Sequence, residues 1–182
     1  LMQGDDYFEM IKYARVSRIW VRMTTNASLL GVNNNWKKLA DSGVNEIDIS
    51  IDGADAETFE AIRVGGSFRH VTANCARLNN YLEPPRTKMW TLVQARNAHN
   101  LSAHVALAAQ LGFRHLVFSL SLHGWGDEAL DKQNQTQVFD LTDHELRELI
   151  SLGDKHRVRV AFWDVAAKFD AVHLCPWPFE RA

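Results

Sequence analysis

The sequence alternates between segments with strand patterning and segments with helical patterning along most of its length. The predicted strands are rich in β-branched and aromatic residues, and they are RIWVRMTTN, VNEIDISID, TKMWTLVQAR, RHLVFSLSL and VRVAFWD. The predicted helices are YFEMIKYAR, NNWKKLADSG, AETFEAIR, SFRHVTANCARLNNYL, LSAHVALAAQLG and DHELRELISLGDKH. Strands separated by helices predict a parallel sheet with right-handed crossovers. A closed or partly closed barrel and an open doubly wound sheet both satisfy this pattern.

Local signals mark where the predicted helices begin and end. Asp55 and Asn100 are predicted to cap the amino ends of the helices that follow them. Thr142 and Glu145 have the spacing of a capping box at the start of the last helix. Gly43 suits the left-handed position just beyond the end of a helix.

The second predicted strand alternates apolar and polar side chains. The isoleucines of EIDISID, residues 46–52, are predicted to face the helices, which places three polar residues on the other face: Asp48, Ser50 and Asp52. On an antiparallel or edge strand such a face would be solvated. Parallel sheets are usually covered on both faces, and buried polar groups need hydrogen bonds or a polar ligand. The alternation therefore leaves a solvated face and a polar interior as alternatives, and the parallel context favours the interior.

Polar residues also follow the ends of neighbouring predicted strands. Thr24, Thr25 and Asn26 close the first strand, and Gln94 and Arg96 close the third. Barrels and open parallel sheets bind ligands at the carboxyl ends of their strands. The pattern predicts a site for a polar small molecule at that edge.

The charge balance and the cysteine count exclude several classes of protein. The formal net charge of −2 gives no support for a nucleic-acid or anionic-membrane partner. No apolar run approaches the roughly 20 residues that a membrane-spanning helix needs. The two cysteines, Cys75 and Cys175, cannot form a disulfide framework, so we expect a cytoplasmic protein.

Several motifs, in this order and spacing, resemble the core of radical S-adenosylmethionine (SAM) enzymes. They are MTTNASLL, then LADSGVNEIDISIDGADAETFEAIRVGGSFRHVTANCARL, then TLVQARNAHNLSAHVALAAQLGFRHLVF. The terminal CPWPFERA resembles the entry to the SPASM-type auxiliary-cluster domain of one subgroup. The resemblance implies an α/β fold, a partial (β/α) barrel with parallel strands and outer helices, truncated at both ends. It also implies a barrel core over residues 1–165, incomplete at its amino end, and a linker with the start of the auxiliary-cluster domain over residues 166–182.

The resemblance further implies a set of residues that bind SAM across the carboxyl ends of the strands: Asn26, Ser50, Asp52, Arg63, Gln94 and Arg96. In the family, the position of Asn26 lines the adenosyl side, and those of Ser50 and Asp52 contact the ribose and the methionine carboxylate. The position of Arg63 resembles that of an arginine that approaches the SAM carboxylate. The planar fork of a guanidinium suits a carboxylate. The alternative for Arg63 is an ordinary surface arginine.

The iron-sulfur ligands of the family do not occur in this sequence. Radical SAM chemistry needs a 4Fe-4S cluster held by three cysteines, usually in a CxxxCxxC loop, and this sequence has no such loop. In the family that loop lies upstream of the position at which this sequence starts. We therefore interpret the chain as a fragment of an enzyme that reductively cleaves SAM to a 5′-deoxyadenosyl radical for hydrogen abstraction. We assign no catalytic residue within it and expect the 182 residues alone to be inactive.

The remaining implied cofactors and partners concern the carboxyl-terminal part of the chain. Cys175 resembles a ligand of an auxiliary 4Fe-4S cluster of the full-length protein, whereas Cys75 is expected to be a packed core residue. His123 and Trp125 follow the fourth predicted strand and are candidates for substrate contact, with ordinary loop residues as the alternative. The resemblance implies a small-molecule or peptide substrate and an electron donor such as flavodoxin or ferredoxin.

Two functions outside this reaction stay open at the level of sequence. A metal-dependent barrel enzyme would use Asp48 and Asp52 as an acid-base pair or as oxygen ligands of a divalent cation. A non-catalytic module would keep a SAM or nucleotide pocket without the cluster.

Overall fold

The computed structural model describes residues 4–81, 84–120, 129 and 141–163, and five of its segments form one sheet. The strands are β1 (Arg22–Thr25), β2 (Glu46–Ser50), β3 (Arg86–Leu92), β4 (His115–Ser119) and β5 (Arg159–Trp163). The helices are α1 (Asp6–Val16), α2 (Asn35–Asp41), α3 (Ala56–Ile62), α4 (Phe68–Asn79), α5 (Leu101–Gln110) and α6 (Asp143–His156). The predicted alternation of strands and helices is confirmed.

The order of the strands in space equals their order along the chain. All four neighbouring pairs are parallel, and the sheet runs β1-β2-β3-β4-β5. An open doubly wound sheet reverses its strand order at a switch point. The described strands show no such reversal, so right-handed crossovers place the connecting helices on the same face. This α/β arrangement is that of a partial (β/α) barrel.

The face of the sheet toward the helices forms the apolar core. The isoleucines of β2 and its extension are 0% exposed, and Met89, Leu116 and Phe118 of the next strands are equally buried. Cys75 of α4 also belongs to this core, as predicted. None of the helices in the described ranges is long and apolar enough to cross a membrane.

Three of the predicted helix-end signals are confirmed. An Oδ1 atom of Asp55 accepts a hydrogen bond from the Thr58 backbone amide at 2.8 Å at the start of α3. Thr142 and Glu145 form the reciprocal capping box of α6. Gly43 adopts the left-handed conformation after α2, with φ at +76°.

The predicted side-chain cap by Asn100 is wrong. A 3-10 turn, Ala98–Asn100, runs directly into α5, and the side chain of Asn100 makes no capping hydrogen bond. Its backbone carbonyl instead accepts a hydrogen bond from Nδ1 of the buried His104 at 3.0 Å. The chain therefore enters α5 through a tighter helical turn rather than from the extended conformation that a capping side chain needs.

Candidate functional site

The face of the sheet opposite the helices carries charged residues in its lower half, near the amino ends of the strands. The parallel register places Glu46 between Arg22 and Arg86, and the next row inward pairs Asp48 with Lys88. Lys88 Nζ donates to an Oε1 atom of Glu46 at 2.9 Å. These residues form a layer of alternating charges, which we call the charged floor.

Asp48 is a buried carboxylate of the charged floor, and only one of its two oxygens has a hydrogen-bond partner among the described residues. The residue is 4% exposed, and its Oδ2 accepts a hydrogen bond from Arg22 Nε at 2.7 Å. Its Oδ1 is buried without a hydrogen-bond partner among the described residues. Burial raises the pKa of the Asp48 carboxyl, and the neighbouring Arg22 opposes that rise. A solvated face is therefore wrong for Asp48, which points into the interior.

Asp52 lies at the upper edge of the same face, beyond the carboxyl end of β2. Its Oδ2 accepts a hydrogen bond from Nε of Arg63 at 2.7 Å and lies 2.5 Å from Nη2 in the same ion pair. Its Oδ1 accepts from the backbone amide of Leu92, on β3, at 2.9 Å. The side chain of Asp52 is 5% exposed, whereas that of Arg63 is 36% exposed. A buried carboxylate thus holds a partly exposed guanidinium at the carboxyl edge of the sheet. We call this edge, where the strands β1 to β3 end, the rim.

The position of Arg63 follows from the short helix before it. Arg63 directly follows α3, and its backbone amide donates to the Phe59 carbonyl at 2.7 Å. Arg63 is therefore fixed by the end of α3 and by its ion pair with Asp52. It is not an isolated surface arginine.

Asn97 belongs to the rim and was missed by sequence reasoning. It is 0% exposed, and its Nδ2 donates to the carbonyl of Asp52 at 2.9 Å and to that of Leu92 at 2.7 Å. Its Oδ1 accepts from the backbone amide of Gln94 at 2.9 Å. Asparagine is ordinary in a turn, so no local signal in the sequence indicates that this side chain joins two strands.

The other predicted cofactor-binding residues lie at the carboxyl ends of their strands. Asn26 is exposed after β1, and its Oδ1 accepts from the backbone amide and hydroxyl of Ser28, at 3.1 and 2.7 Å. Ser50 is half-buried at the end of β2, opposite Trp90 of β3. Gln94 is half-buried in the turn that Asn97 stabilises, and Arg96 is exposed there. The predicted substrate residues His123 and Trp125 and the predicted cluster ligand Cys175 lie outside the described residues.

The geometry does not support Asp48 and Asp52 as a pair. Three residues lie between them, so extended chain places their Cα atoms roughly 13 Å apart. Each contacts a different arginine, Asp48 with Arg22 and Asp52 with Arg63. The described ranges also contain no group of three or more His, Cys, Asp or Glu side chains placed to hold a metal ion. A shared proton or a shared cation between these carboxylates does not fit this arrangement.

The chain is similar in sequence to two kinds of curated protein. It is 29% identical over 140 residues to mycofactocin maturase MftC of Mycolicibacterium smegmatis, a match that covers 74% of this chain and 35% of that protein. It is 33% identical over 126 residues to the AdoMet-dependent heme synthase of Methanosarcina barkeri, with coverage of 68% and 35%. The chain thus spans about a third of the length of these relatives. No protein-family model matches the sequence.

Solved structures with the same fold include SuiB of Streptococcus suis. SuiB bound to S-adenosylmethionine superposes with a TM-score of 0.61 at 13% identity, over 86% of this chain and 34% of that one. SuiB bound to the precursor peptide SuiA gives a TM-score of 0.60 at 12% identity, over 87% and 35%. This similarity establishes the fold. The sequence similarity to a maturase and to an AdoMet-dependent enzyme supports the radical SAM superfamily that the motifs resemble.

Proposed function

We propose that this chain forms the later strand-helix units of a radical SAM enzyme, with residues 1–165 as its barrel core. Residues 166–182 would lead into a SPASM-type domain, where Cys175 would bind an auxiliary 4Fe-4S cluster. The sequence similarity to an AdoMet-dependent enzyme and the fold shared with SuiB support this proposal. In that function a 4Fe-4S cluster supplies the electron that cleaves SAM to a 5′-deoxyadenosyl radical.

The observation that carries the proposal is the ion pair of Arg63 with Asp52 at the carboxyl edge of the sheet. Asp52 holds the Nε and Nη2 atoms, and the described residues accept no hydrogen bond from Nη1. A guanidinium has five N–H donors, so Arg63 keeps donors for a second carboxylate. The methionine carboxylate of SAM fits this requirement.

The other rim residues suit the remaining polar groups of SAM. In this proposal the hydroxyl of Ser50 binds the ribose, and Asn26 lines the adenosyl side. Gln94 and Arg96 complete the opposite side of the rim, on the turn after β3. Asp52 lies on the same rim, where it holds Arg63. Each of these residues lies at the edge where ligands of parallel barrels bind.

The described residues suit the binding of SAM, but they do not suit the ligation of the 4Fe-4S cluster. Cys75 is buried in the helix-side core, where burial raises the pKa of its thiol to about 12, so it does not suit a thiolate ligand. We therefore expect the 182 residues alone to bind SAM weakly and to release no 5′-deoxyadenosine. Electrons in the complete gene product would come from a donor such as flavodoxin or ferredoxin.

We favour a peptide over a free small molecule as substrate. SuiB, which shares the fold, is described with a bound precursor peptide, and MftC is a maturase. His123 and Trp125, in the segment after β4, are the proposed substrate-contacting residues.

The test uses the complete gene product, reconstituted with iron and sulfide without oxygen. SAM affinity is measured by calorimetry, and 5′-deoxyadenosine is quantified by mass spectrometry after reduction with dithionite. Arg63→Gln is expected to weaken SAM binding by about tenfold or more, the effect of losing a charge-assisted hydrogen bond. The matched control is Arg77→Gln, an exposed arginine on α4, which should leave the affinity unchanged.

The outcomes separate the proposal from its alternatives. SAM binding followed by 5′-deoxyadenosine release supports a radical SAM enzyme. SAM binding without 5′-deoxyadenosine under reductant supports the non-catalytic binding module instead. Failure of the wild-type protein to bind SAM contradicts both.

A further inference from the structure

We propose that Asp52 is a positioning residue that acts on SAM only through Arg63. In this arrangement Asp52 binds the inner edge of the guanidinium, and the outer edge binds the methionine carboxylate. This inference rests on the proposed function and refines it, because the family resemblance assigns Asp52 a direct contact with SAM.

Both oxygens of Asp52 are already engaged by the protein. Oδ2 accepts from Nε of Arg63 and forms an ion pair with its Nη2, and Oδ1 accepts from the Leu92 amide at 2.9 Å. The side chain is 5% exposed. A SAM hydroxyl or carboxylate would have to displace a charge-assisted hydrogen bond to reach it, which is costly for a buried carboxylate.

Charge also disfavours direct contact of Asp52 with the methionine carboxylate of SAM. Two carboxylates brought together repel each other unless one takes up a proton. An arginine between them removes that repulsion, because its planar guanidinium offers separate hydrogen-bonding edges to two acceptors. Arg63 has this geometry: its Nε and Nη2 face Asp52, and the described residues leave Nη1 without a hydrogen bond.

Asp52 is itself held rigidly, as a positioning residue requires. Asn97 donates to its backbone carbonyl at 2.9 Å, and the Leu92 amide donates to its side chain. The adjacent Gly53 lies against the backbone of Phe59 in α3, the helix that ends at Arg63. The orientation of the Arg63 guanidinium is therefore determined both by the Asp52 carboxylate and by the end of α3.

The experiment compares two ligands that differ only in the group under test. SAM and decarboxylated SAM share the adenosine, the sulfonium and the amine, and decarboxylated SAM lacks the carboxylate. Affinities of both ligands are measured by calorimetry on the reconstituted complete gene product. Wild type, Asp52→Asn, Arg63→Gln and the double variant form a double-mutant cycle.

Asp52→Asn is expected to lower the affinity for SAM by about tenfold. It is expected to change the affinity for decarboxylated SAM by less than about twofold. In the Arg63→Gln background, Asp52→Asn should have no further effect on SAM, because the residue through which it acts is gone. Thermal unfolding of each variant, followed by circular dichroism, establishes that it is folded. If Asp52→Asn does not fold, Asp52→Glu replaces it, with the same selective loss expected because the longer side chain displaces Arg63.

Three results would overturn the inference. Equal weakening of both ligands by the Asp52 variant would indicate direct contact with the ribose. Additive effects of the two substitutions on SAM would show that Asp52 does not act through Arg63. Absence of SAM binding to the wild type would refute the proposed function and this inference with it, and it is distinguishable because the variants play no part in it.

Discussion

A Cβ atom built on Gly53 would lie 2.2 Å from the backbone nitrogen of Phe59 and 2.5 Å from its Cα. The chain that leaves β2 therefore touches the backbone of α3 directly. Phe59 is 2% exposed and belongs to the core, so α3 has little freedom to move away. This contact sets the distance between Asp52, which precedes Gly53, and Arg63, which follows α3.

Gly53→Ala is expected to destabilise the protein by about 3 kcal/mol, at the upper end of overpacking costs, because the added methyl group meets backbone rather than a flexible side chain. The free energy of unfolding in urea measures this effect. Gly65→Ala is the matched control: its φ is +80°, and a Cβ there meets no atom within 4 Å. The control should cost only the local backbone strain, about 1 kcal/mol. Equal losses in the two variants would contradict the contact.

Asn97→Ala is expected to lower the free energy of unfolding by about 2–3 kcal/mol. The substitution removes the donor to the carbonyls of Asp52 and Leu92 and the acceptor for the Gln94 amide. Chemical denaturation provides the measurement, and Asn80→Ala, at an exposed position after α4, is the control with an expected change within about 0.5 kcal/mol. A loss at Asn97 no larger than that of the control would show that its hydrogen bonds do not stabilise the rim.

Asp48 should make stability fall as pH rises. Burial raises the pKa of its carboxyl in the folded state, so the unfolded chain ionises this group at a lower pH than the folded chain does. The stability contributed by the neutral form is therefore complete below the unfolded pKa and is lost as pH rises through the folded pKa. Asp48→Asn does not titrate, so the stability of the wild type relative to this variant should decline as pH rises above about 4, the ordinary pKa of an aspartate.

The control for this pH dependence is Asp41→Asn. The pKa of Asp41 is lowered, first by its hydrogen bond with Lys37, which is the opposite direction. Its contribution is present above the unfolded pKa and is lost only as pH falls through the folded pKa. The wild type should show no decline relative to Asp41→Asn over the same range. A flat difference for Asp48→Asn as well would disprove the raised pKa.

Cys75 is expected to resist alkylation in the folded protein. It is 0% exposed, and burial raises the pKa of its thiol to about 12. The thiolate is the reactive form, so iodoacetamide at about pH 8 should leave the peptide that contains Cys75 unmodified and should alkylate it fully in denaturant. Mass spectrometry of the digested protein measures both, and modification of Cys75 in the native protein would contradict its place in the core.

Local pattern was sufficient for the elements of this fold. The alternation of strand and helix, the cap at Asp55 and the capping box of Thr142 with Glu145 depend on residues within four positions of one another, and all were predictable. The limits of the strands were less so. The first predicted strand begins at Arg18, but only Arg22–Thr25 forms the strand β1 of the sheet. Arg18 cannot belong to the strand because it adopts a left-handed conformation, with φ at +59°, in the turn after α1.

The sequence by itself determined that β2 has an apolar face and a polar face, because side chains of a strand alternate whatever surrounds them. It also placed polar residues at the carboxyl ends of neighbouring strands. Only the tertiary structure decided which partners they meet. Asp48 pairs with Arg22 across 26 positions, and Asn97 reaches the Asp52 carbonyl across 45. Such pairs depend on the register between parallel strands and on the packing of α3, and neither leaves a periodic trace in the sequence.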